Sequence, residues 1–181
     1  MNMDIIERIR PAIVAILDDD SPNGTGFLVT SDGYVITAYH VIEELKTDNI
    51  MLETSDGKKY ASELIGDHSH KEESLDFAIL KIKEDKKFHY LPLKKDFKQD
   101  DRWTTLGYEL LKNYSGVPHT GKIVGPAKRS DGDIYFIKLN ADNPIKGGVS
   151  GAPLFSKVNN AVVGVIIEGR EKSNEATLVI G

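Results

Sequence analysis

Short apolar segments, separated by glycine, aspartate and charged residues, recur along the whole chain. They are rich in valine, isoleucine and phenylalanine, which is typical of β-strands. After the first few residues, the apolar positions show no sustained helical period. In the first half the pattern predicts six strands, at 12–17, 25–30, 34–37, 50–53, 59–65 and 75–82. Six strands are enough to close one small barrel.

Turns and short helical segments complete the first half. Ser31-Asp32-Gly33 separates two predicted strands, and an Asp-Gly pair in that position favours a hairpin. Residues 4–9 predict a short amphipathic helix, because isoleucines share one side and a proline follows shortly after. Residues 41–45 predict one helical turn. The polar segments 18–24 and 66–74 are interpreted as loops.

A charged segment at 83–102 divides the chain and is typical of a connector between two halves. Beyond it the pattern predicts strands at 103–106, 122–124, 134–139, 152–155, 161–167 and 176–180. Many short strands with glycine or aspartate turns indicate an all-β barrel or sandwich. We therefore expect a single domain over 1–181, with halves at about 11–85 and 103–181 and a connector at about 86–102.

Composition and charge exclude several classes of protein. The chain has 181 residues, of which 40% are hydrophobic and 28% charged, as in ordinary soluble domains. A net charge of −5 argues against a nucleic-acid partner bound through phosphate contacts. Without cysteine there is no disulfide, thiolate metal site or cysteine nucleophile. The sequence shows neither a membrane span nor a signal peptide, so we expect a cytoplasmic protein with no membrane partner.

No metal site is predicted. His68 and His70 lie in a polar loop without further ligands nearby in sequence. The three aspartates at 18–20 are consecutive, whereas calcium loops place their ligands at alternate positions. His89 and His119 are interpreted as structural or surface residues, and the alternative for His119 is a place in the lining of a substrate pocket.

The main chemical signal is one serine enclosed by glycines, in the segment Gly147-Gly148-Val149-Ser150-Gly151-Ala152-Pro153-Leu154. Glycines on both sides allow positive φ angles and a sharp turn. Such a turn can expose the hydroxyl and align the amide N–H groups of Gly148 and Ser150. Two aligned donors beside a hydroxyl are what an oxyanion hole requires. Because glycine-rich turns are also common in ordinary loops, the hypothesis needs a base and an acid elsewhere.

One candidate of each kind is present. His40 directly follows a predicted strand, and Asp76 lies at the start of the apolar segment 75–82. Serine is a weak nucleophile and needs a base within hydrogen-bond reach. Histidine titrates near neutral pH and can accept that proton, and a carboxylate on its far nitrogen fixes the tautomer. Taken singly, each is more often a turn or surface residue, so the prediction depends on their joint occurrence.

The segments 24–41, 75–80 and 148–154 contain these residues in the order histidine, aspartate, serine. They resemble the three catalytic blocks of the trypsin-like (chymotrypsin-fold) serine proteases, and most of all those of bacterial Deg/HtrA-type peptidase domains. The likeness extends over 9–169. Two residues depart from the family pattern. Val149 stands where a polar residue usually precedes the serine, and Tyr39 is bulkier than the residue usual before the histidine.

The resemblance implies an all-β chymotrypsin fold, with two six-stranded antiparallel barrels behind a short N-terminal helix. It also implies a serine endopeptidase that cleaves peptide bonds through an acyl-enzyme. Ser150 would be the nucleophile, His40 the general base and Asp76 the acid that orients it. The amides of Gly148 and Ser150 would form the oxyanion hole. No cofactor is implied, and the expected partners are a protein or peptide substrate and further domains of a longer bacterial protein.

The resemblance also implies a pocket for the substrate side chain before the cleaved bond. Its floor would be Pro144, six residues before the serine, and its walls would include Ile166, Glu168 and Gly169. An acid at the floor would favour lysine or arginine. Since Pro144 carries no charge, we expect a small or medium apolar side chain there, with Glu168 or Asp142 as possible sources of charge.

A second interpretation keeps the fold without constitutive activity. The Gly147-Gly148 pair lowers the cost of flipping the backbone that carries the oxyanion donors. Deg/HtrA-type domains switch in this way, so the resemblance implies this alternative too. The chain would then be a gated or inactive trypsin-like fold that acts as a peptide-binding or regulatory module.

Overall fold

The computed structural model describes residues 4–68, 75–109, 116–128, 135–169 and 176–179. One α-helix, Ile5–Ile9 (α1), opens the fold as predicted and continues into a 3-10 turn at Arg10–Ala12. A second 3-10 turn covers Tyr39–Val41, slightly before the predicted position at 41–45. Within the ranges described, no helix is long and apolar enough to cross a membrane.

The first six strands close into an antiparallel barrel. They are β1 (Ile13–Asp18), β2 (Ser21–Leu28), β3 (Tyr34–Thr37), β4 (Ile50–Thr54), β5 (Lys59–His68) and β6 (Phe77–Ile82). Around the ring they follow the order β1-β2-β3-β6-β5-β4. Five successive residues of β1, from position 13 to position 17, are buried. Both faces of this strand are therefore covered, one inside the barrel and the other by elements packed on its outside.

The second six strands form another closed antiparallel barrel. They are β7 (Arg102–Gly107), β8 (Val117–Lys128), β9 (Tyr135–Ala141), β10 (Pro153–Ser156), β11 (Ala161–Gly169) and β12 (Ala176–Val179). Their order around the ring is β10-β11-β12-β9-β8-β7. The predicted fold class, an all-β protein of two six-stranded barrels behind a short helix, is confirmed.

Three strands extend three or more residues beyond the sequence prediction. β5 continues through 66–68, predicted as the start of a loop. Residues 21–24, also predicted as part of a loop, form the first half of β2 and pair with β1 across a register shift. β8 begins well before the predicted 122–124 and includes Gly121 and Gly125. Glycine and proline in these segments weaken the local strand signal. Pairing with neighbouring strands overrides that local preference.

Trp103 fills the core of the second barrel, where its indole is completely buried. Strand β8 passes close to the indole at Gly121. A Cβ atom at this position would lie 2.0 Å from the carbonyl oxygen of Asn140 and 2.6 Å from the indole ring. Both distances are far below van der Waals contact, so only glycine fits at position 121.

We expect Gly121→Ala to lower the free energy of unfolding by about 1–3 kcal/mol, because the added methyl group overpacks this core. The measurement is urea unfolding. The matched control is Gly66→Ala in β5, where nothing lies within 4 Å of the added Cβ. The control should unfold close to the native midpoint, and equal midpoints for the two variants would contradict the packing argument.

Candidate active site

His40 and Asp76 meet at one end of the first barrel. The 3-10 turn Tyr39–Val41 follows β3, and Asp76 immediately precedes β6, which pairs with β3. Nδ1 of His40 lies 2.6 Å from Oδ2 of Asp76. The backbone N–H of His40 donates to Oδ1 of the same carboxylate at 2.9 Å. The carboxylate thus holds both the ring and the backbone of the histidine.

The backbone of Asp76 is held in an unusual conformation. Its φ angle is 50°, in the left-handed region that most non-glycine residues avoid. Its carbonyl oxygen accepts a hydrogen bond from the N–H of Tyr39 at 3.1 Å, in addition to the two bonds that its carboxylate makes to His40. Strained backbone of this kind concentrates at functional sites. The side chain of His40 is 40% exposed, so solvent or a substrate can reach the ring.

The serine segment docks on the first barrel through Thr25. The N–H of Thr25 donates to the carbonyl oxygen of Ser150 at 2.9 Å, and its hydroxyl donates to the carbonyl oxygen of Gly148 at 2.7 Å. A Cβ on Gly151 would lie 2.0 Å from the Thr25 carbonyl oxygen and 3.0 Å from the nitrogen of Ala38. Ser150 therefore lies between the barrels, and its neighbour contacts the backbone just before His40.

Glycine conformations and one buried side chain shape the serine turn. Gly148 and Gly151 have φ angles of 96° and 86°, which favour glycine. The N–H of Gly151 donates to the carbonyl oxygen of Ile166 in β11 at 2.6 Å. Val149 is completely buried and packs so closely on Gly107 that a Cβ there would lie 2.9 Å from its Cγ1. An apolar residue before the serine thus anchors the turn in the second barrel.

Two amides in this turn are the oxyanion donors that the sequence predicts. No residue of the described ranges accepts a hydrogen bond from the backbone N–H of Gly148 or Ser150. The Ser150 hydroxyl also makes no hydrogen bond to those residues, and Ser150 is half-buried. Catalytic hydrogen bonds are often long before substrate binds and shorten in the complex. The amides that the sequence indicated as oxyanion donors therefore remain candidates for that role.

The residues predicted to line the substrate pocket differ in burial. Pro144 is exposed, whereas Ile166 is completely buried in the second core. Glu168 and Gly169 belong to β11, but nothing beyond their backbone is described. A hydrogen bond from the Thr120 hydroxyl, together with bonds from both terminal nitrogens of Arg102, lowers the pKa of Asp142. Its charge is therefore already balanced within the fold.

The part of the chain that is described contains no group of three or more His, Asp or Glu residues placed to hold a metal ion. Asp20 instead pairs with Lys59 at 2.5 Å. His70 and the side chain of His68 lie outside the described residues.

A cluster of one buried histidine, one carboxylate and one exposed lysine, near the serine segment, was not found by sequence reasoning. His119 has a side chain only 6% exposed, with Nε2 3.5 Å from Oε1 of Glu109. The other carboxylate oxygen of Glu109 lies 3.9 Å from Nζ of Lys146, just before the glycine pair. Burial lowers the pKa of His119, Glu109 opposes that change and Lys146 adds to it. The cluster forms through pairing of β7 with β8, which leaves no local sequence signal.

The model of one protein family, the trypsin-like peptidase domain, matches residues 24–165. The match includes His40, Asp76 and Ser150. The chain belongs to the trypsin-like peptidase domain family. The family resemblance seen in the sequence is confirmed, as is its assignment to hydrolases of the serine protease class.

Among curated proteins, the chain is similar to probable periplasmic serine endoproteases of the DegP-like type. The one from Bartonella henselae is 32% identical over 146 residues, which cover 78% of this chain and 27% of that protein. The one from Chlamydia trachomatis is 28% identical over 150 residues, which cover 81% of this chain and 28% of that protein. These names confirm the prediction of a bacterial Deg/HtrA-type serine endopeptidase domain. The chain spans less than a third of each relative's length.

Solved structures share the fold. The protease domain of MamO from Magnetospirillum magneticum superposes with a TM-score of 0.75 at 19% identity, over 97% of this chain and 94% of that one. The Rv3671c protease of Mycobacterium tuberculosis, in an inactive form, also gives 0.75 at 22% identity, over 98% and 87%. At such identities the similarity establishes the two-barrel fold alone.

The prediction of a cytoplasmic location is wrong. The curated relatives are named periplasmic serine endoproteases, which points to the periplasm or to secretion. The prediction rested only on the lack of an apolar leader in this sequence. The chain corresponds to a fraction of the longer relatives, so its first residues carry no information about their targeting.

We expect Gly151→Ala to cost about 2–3 kcal/mol of folding stability, because the methyl group would overlap Thr25 and the positive φ adds strain. A urea titration measures the free energy of unfolding, and thermal unfolding measures the melting temperature. Gly57→Ala is the matched control, since Gly57 also has a positive φ of 78° but nothing lies within 4 Å of the added Cβ. Equal losses in the two variants would contradict the close contact at Gly151.

We expect His119 to make stability depend on pH. Burial lowers its pKa in the folded state, so the unfolded chain takes up the proton at a higher pH. The stability from this residue is complete above its ordinary pKa of about 6.5 and declines as pH falls towards the folded value. The melting temperature of His119→Gln should therefore decline less between about pH 7 and pH 5. The exposed His89, changed to Gln, is the control, and a native-like decline in His119→Gln would contradict the assignment.

Proposed function

We propose that this chain is the catalytic domain of a serine endopeptidase, with Ser150, His40 and Asp76 as its triad. Oγ of Ser150 bonds to the carbonyl carbon of the peptide while its proton passes to Nε2 of His40. The C–N bond then breaks, and His40 returns the proton to the leaving amine. Water next attacks the acyl-enzyme along the same proton path and regenerates Ser150.

The observation that carries this proposal is the contact between His40 and Asp76. With Nδ1 at 2.6 Å from the carboxylate, the ring proton is placed on Nδ1, and Nε2 on the opposite side is left to act as the base. The second bond, from the His40 backbone to the same carboxylate, fixes the distance between the two residues. This arrangement favours an imidazolium as it forms, because the negative carboxylate is already in place.

The oxyanion would be stabilised by the backbone N–H groups of Gly148 and Ser150. Thr25 holds the carbonyl oxygens of these two residues by hydrogen bonds, and neither N–H donates to a residue in the described ranges. Donors that are fixed in advance need little reorganisation when charge develops on the substrate oxygen. No cofactor enters this mechanism.

We propose that the two barrels, about 11–85 and 103–181, act with their connector at 86–102 as one peptidase domain. Its substrate would be a protein or an unfolded peptide. The relatives are longer than this chain, which supports further domains in the whole protein. We retain a small or medium apolar residue as the preferred side chain before the cleaved bond, at a pocket that includes Pro144, Ile166, Glu168 and Gly169.

The test is the rate of labelling by a fluorophosphonate probe, which reacts with activated serine hydroxyls. Native protein should label, whereas Ser150→Ala should not. His40→Ala and Asp76→Asn should label about 10⁴-fold more slowly, by analogy with loss of the histidine or the correct tautomer in such triads.

The exposed Ser55, changed to alanine, is the matched control and should label at the native rate. Labelling of Ser150→Ala at the native rate would contradict the assignment of the nucleophile. A folded native protein that stays unlabelled would support the gated or inactive peptide-binding module instead.

A further inference from the structure

We propose that Thr25 is a positioning residue that sets the direction of the oxyanion donors, an inference that rests on the function proposed above. Thr25 lies in β2 of the first barrel and is completely buried. It does not reach the reacting atoms of a substrate directly. It acts through the backbone of the serine turn, which belongs to the other barrel.

The N–H, the hydroxyl and the carbonyl oxygen of Thr25 all make hydrogen bonds, and the first two bond to the second barrel. Its N–H and its hydroxyl donate to the carbonyl oxygens of Ser150 and Gly148. Its hydroxyl oxygen also accepts the N–H of Tyr108, at the end of β7, at 2.9 Å. Its own carbonyl oxygen accepts the hydroxyl of Thr37 at 2.7 Å. One side chain and its backbone therefore join the first barrel, β7 and the serine turn.

The Tyr108 contact determines where the hydroxyl proton lies. A backbone N–H can only donate, so the Thr25 oxygen must be the acceptor in that bond. The single hydroxyl proton is then left for the carbonyl oxygen of Gly148, 2.7 Å away. Serine could make the same two bonds, whereas valine has the same shape and could make neither.

The two carbonyls held by Thr25 lie on either side of a proposed oxyanion donor. The Gly148 carbonyl shares a rigid peptide plane with the N–H of Val149, and the Ser150 carbonyl shares one with the N–H of Gly151. Between these planes lies the Val149–Ser150 peptide, which carries the Ser150 N–H. The φ and ψ angles of Gly148 relate the first held plane to the Gly148 N–H, and the φ angle is 96°. Holding the two planes thus restricts the Ser150 donor from both sides and the Gly148 donor from one side.

The same residue relates this turn to the histidine. Thr37, whose hydroxyl bonds to the Thr25 carbonyl, ends β3 just before His40. Gly151, next to the serine, also packs closely against the backbone of Thr25 and Ala38. A shift of the turn would therefore change the positions of the donors and of Ser150 relative to His40 together.

The experiment compares native protein with Thr25→Val and Thr25→Ser by fluorophosphonate labelling and by hydrogen–deuterium exchange over residues 147–152. Thr25→Val should label about 10- to 100-fold more slowly, since small misplacements of reacting groups have effects of that size. Its exchange should rise in 147–152 and at the N–H of Tyr108, which loses its acceptor, while the rest of the chain keeps native rates. Thr25→Ser should restore both labelling and protection.

Thr104→Val is the matched control, because Thr104 is also buried and its hydroxyl also donates to a backbone carbonyl, that of His119. It should leave labelling and exchange of 147–152 unchanged. If Thr25→Val does not fold, Thr25→Ala is compared with Thr25→Ser instead, because these two variants differ only in the hydroxyl group and neither is larger than threonine.

Native labelling and exchange in Thr25→Val, or failure of Thr25→Ser to restore them, would overturn the proposal. If native protein itself does not label, the proposed function fails. The exchange comparison alone then decides whether Thr25 holds the turn.

Discussion

The hydrogen bonds that Thr25 makes across the two barrels are the constraint on which the site depends. His40 and Asp76 belong to the first barrel and Ser150 to the second, so no single barrel contains a complete constellation. Apolar packing brings the barrels together, since residues of β7, β10 and β11 share one core with the first barrel. That packing is non-directional. The hydrogen bonds from Thr25, by contrast, are directional and orient the serine turn relative to the first barrel.

The site combines this fixed framework with backbone at positive φ angles. Asp76, Gly148 and Gly151 all have positive φ angles, which strain the aspartate but not the glycines. Val149 anchors the serine turn in the second barrel, because its buried side chain packs closely on Gly107. The polar residue usual at this position is therefore not needed to keep the turn in place.

Much of the fold and the site could be predicted from local sequence signals. The histidine, aspartate and serine segments each carry a turn or an apolar strand beside one reactive residue, and most strands show clear apolar runs. The length of β8 and the cluster around His119 could not be predicted, because both arise from pairing between strands and not from local sequence. The role proposed for Thr25 also leaves no local signal, since its partners in the second barrel are more than 80 residues away in sequence. The location was predicted wrongly, because targeting leaves no trace in a folded domain.

The most direct measurement of the central claim is a crystal structure of the protein after reaction with a fluorophosphonate. The account predicts phosphorus bonded to Oγ of Ser150, with the phosphoryl oxygen about 2.7–3.1 Å from the backbone nitrogens of Gly148 and Ser150. His40 should remain paired with Asp76 and face the adduct with Nε2. An adduct on another residue, or a phosphoryl oxygen turned away from both nitrogens, would contradict it.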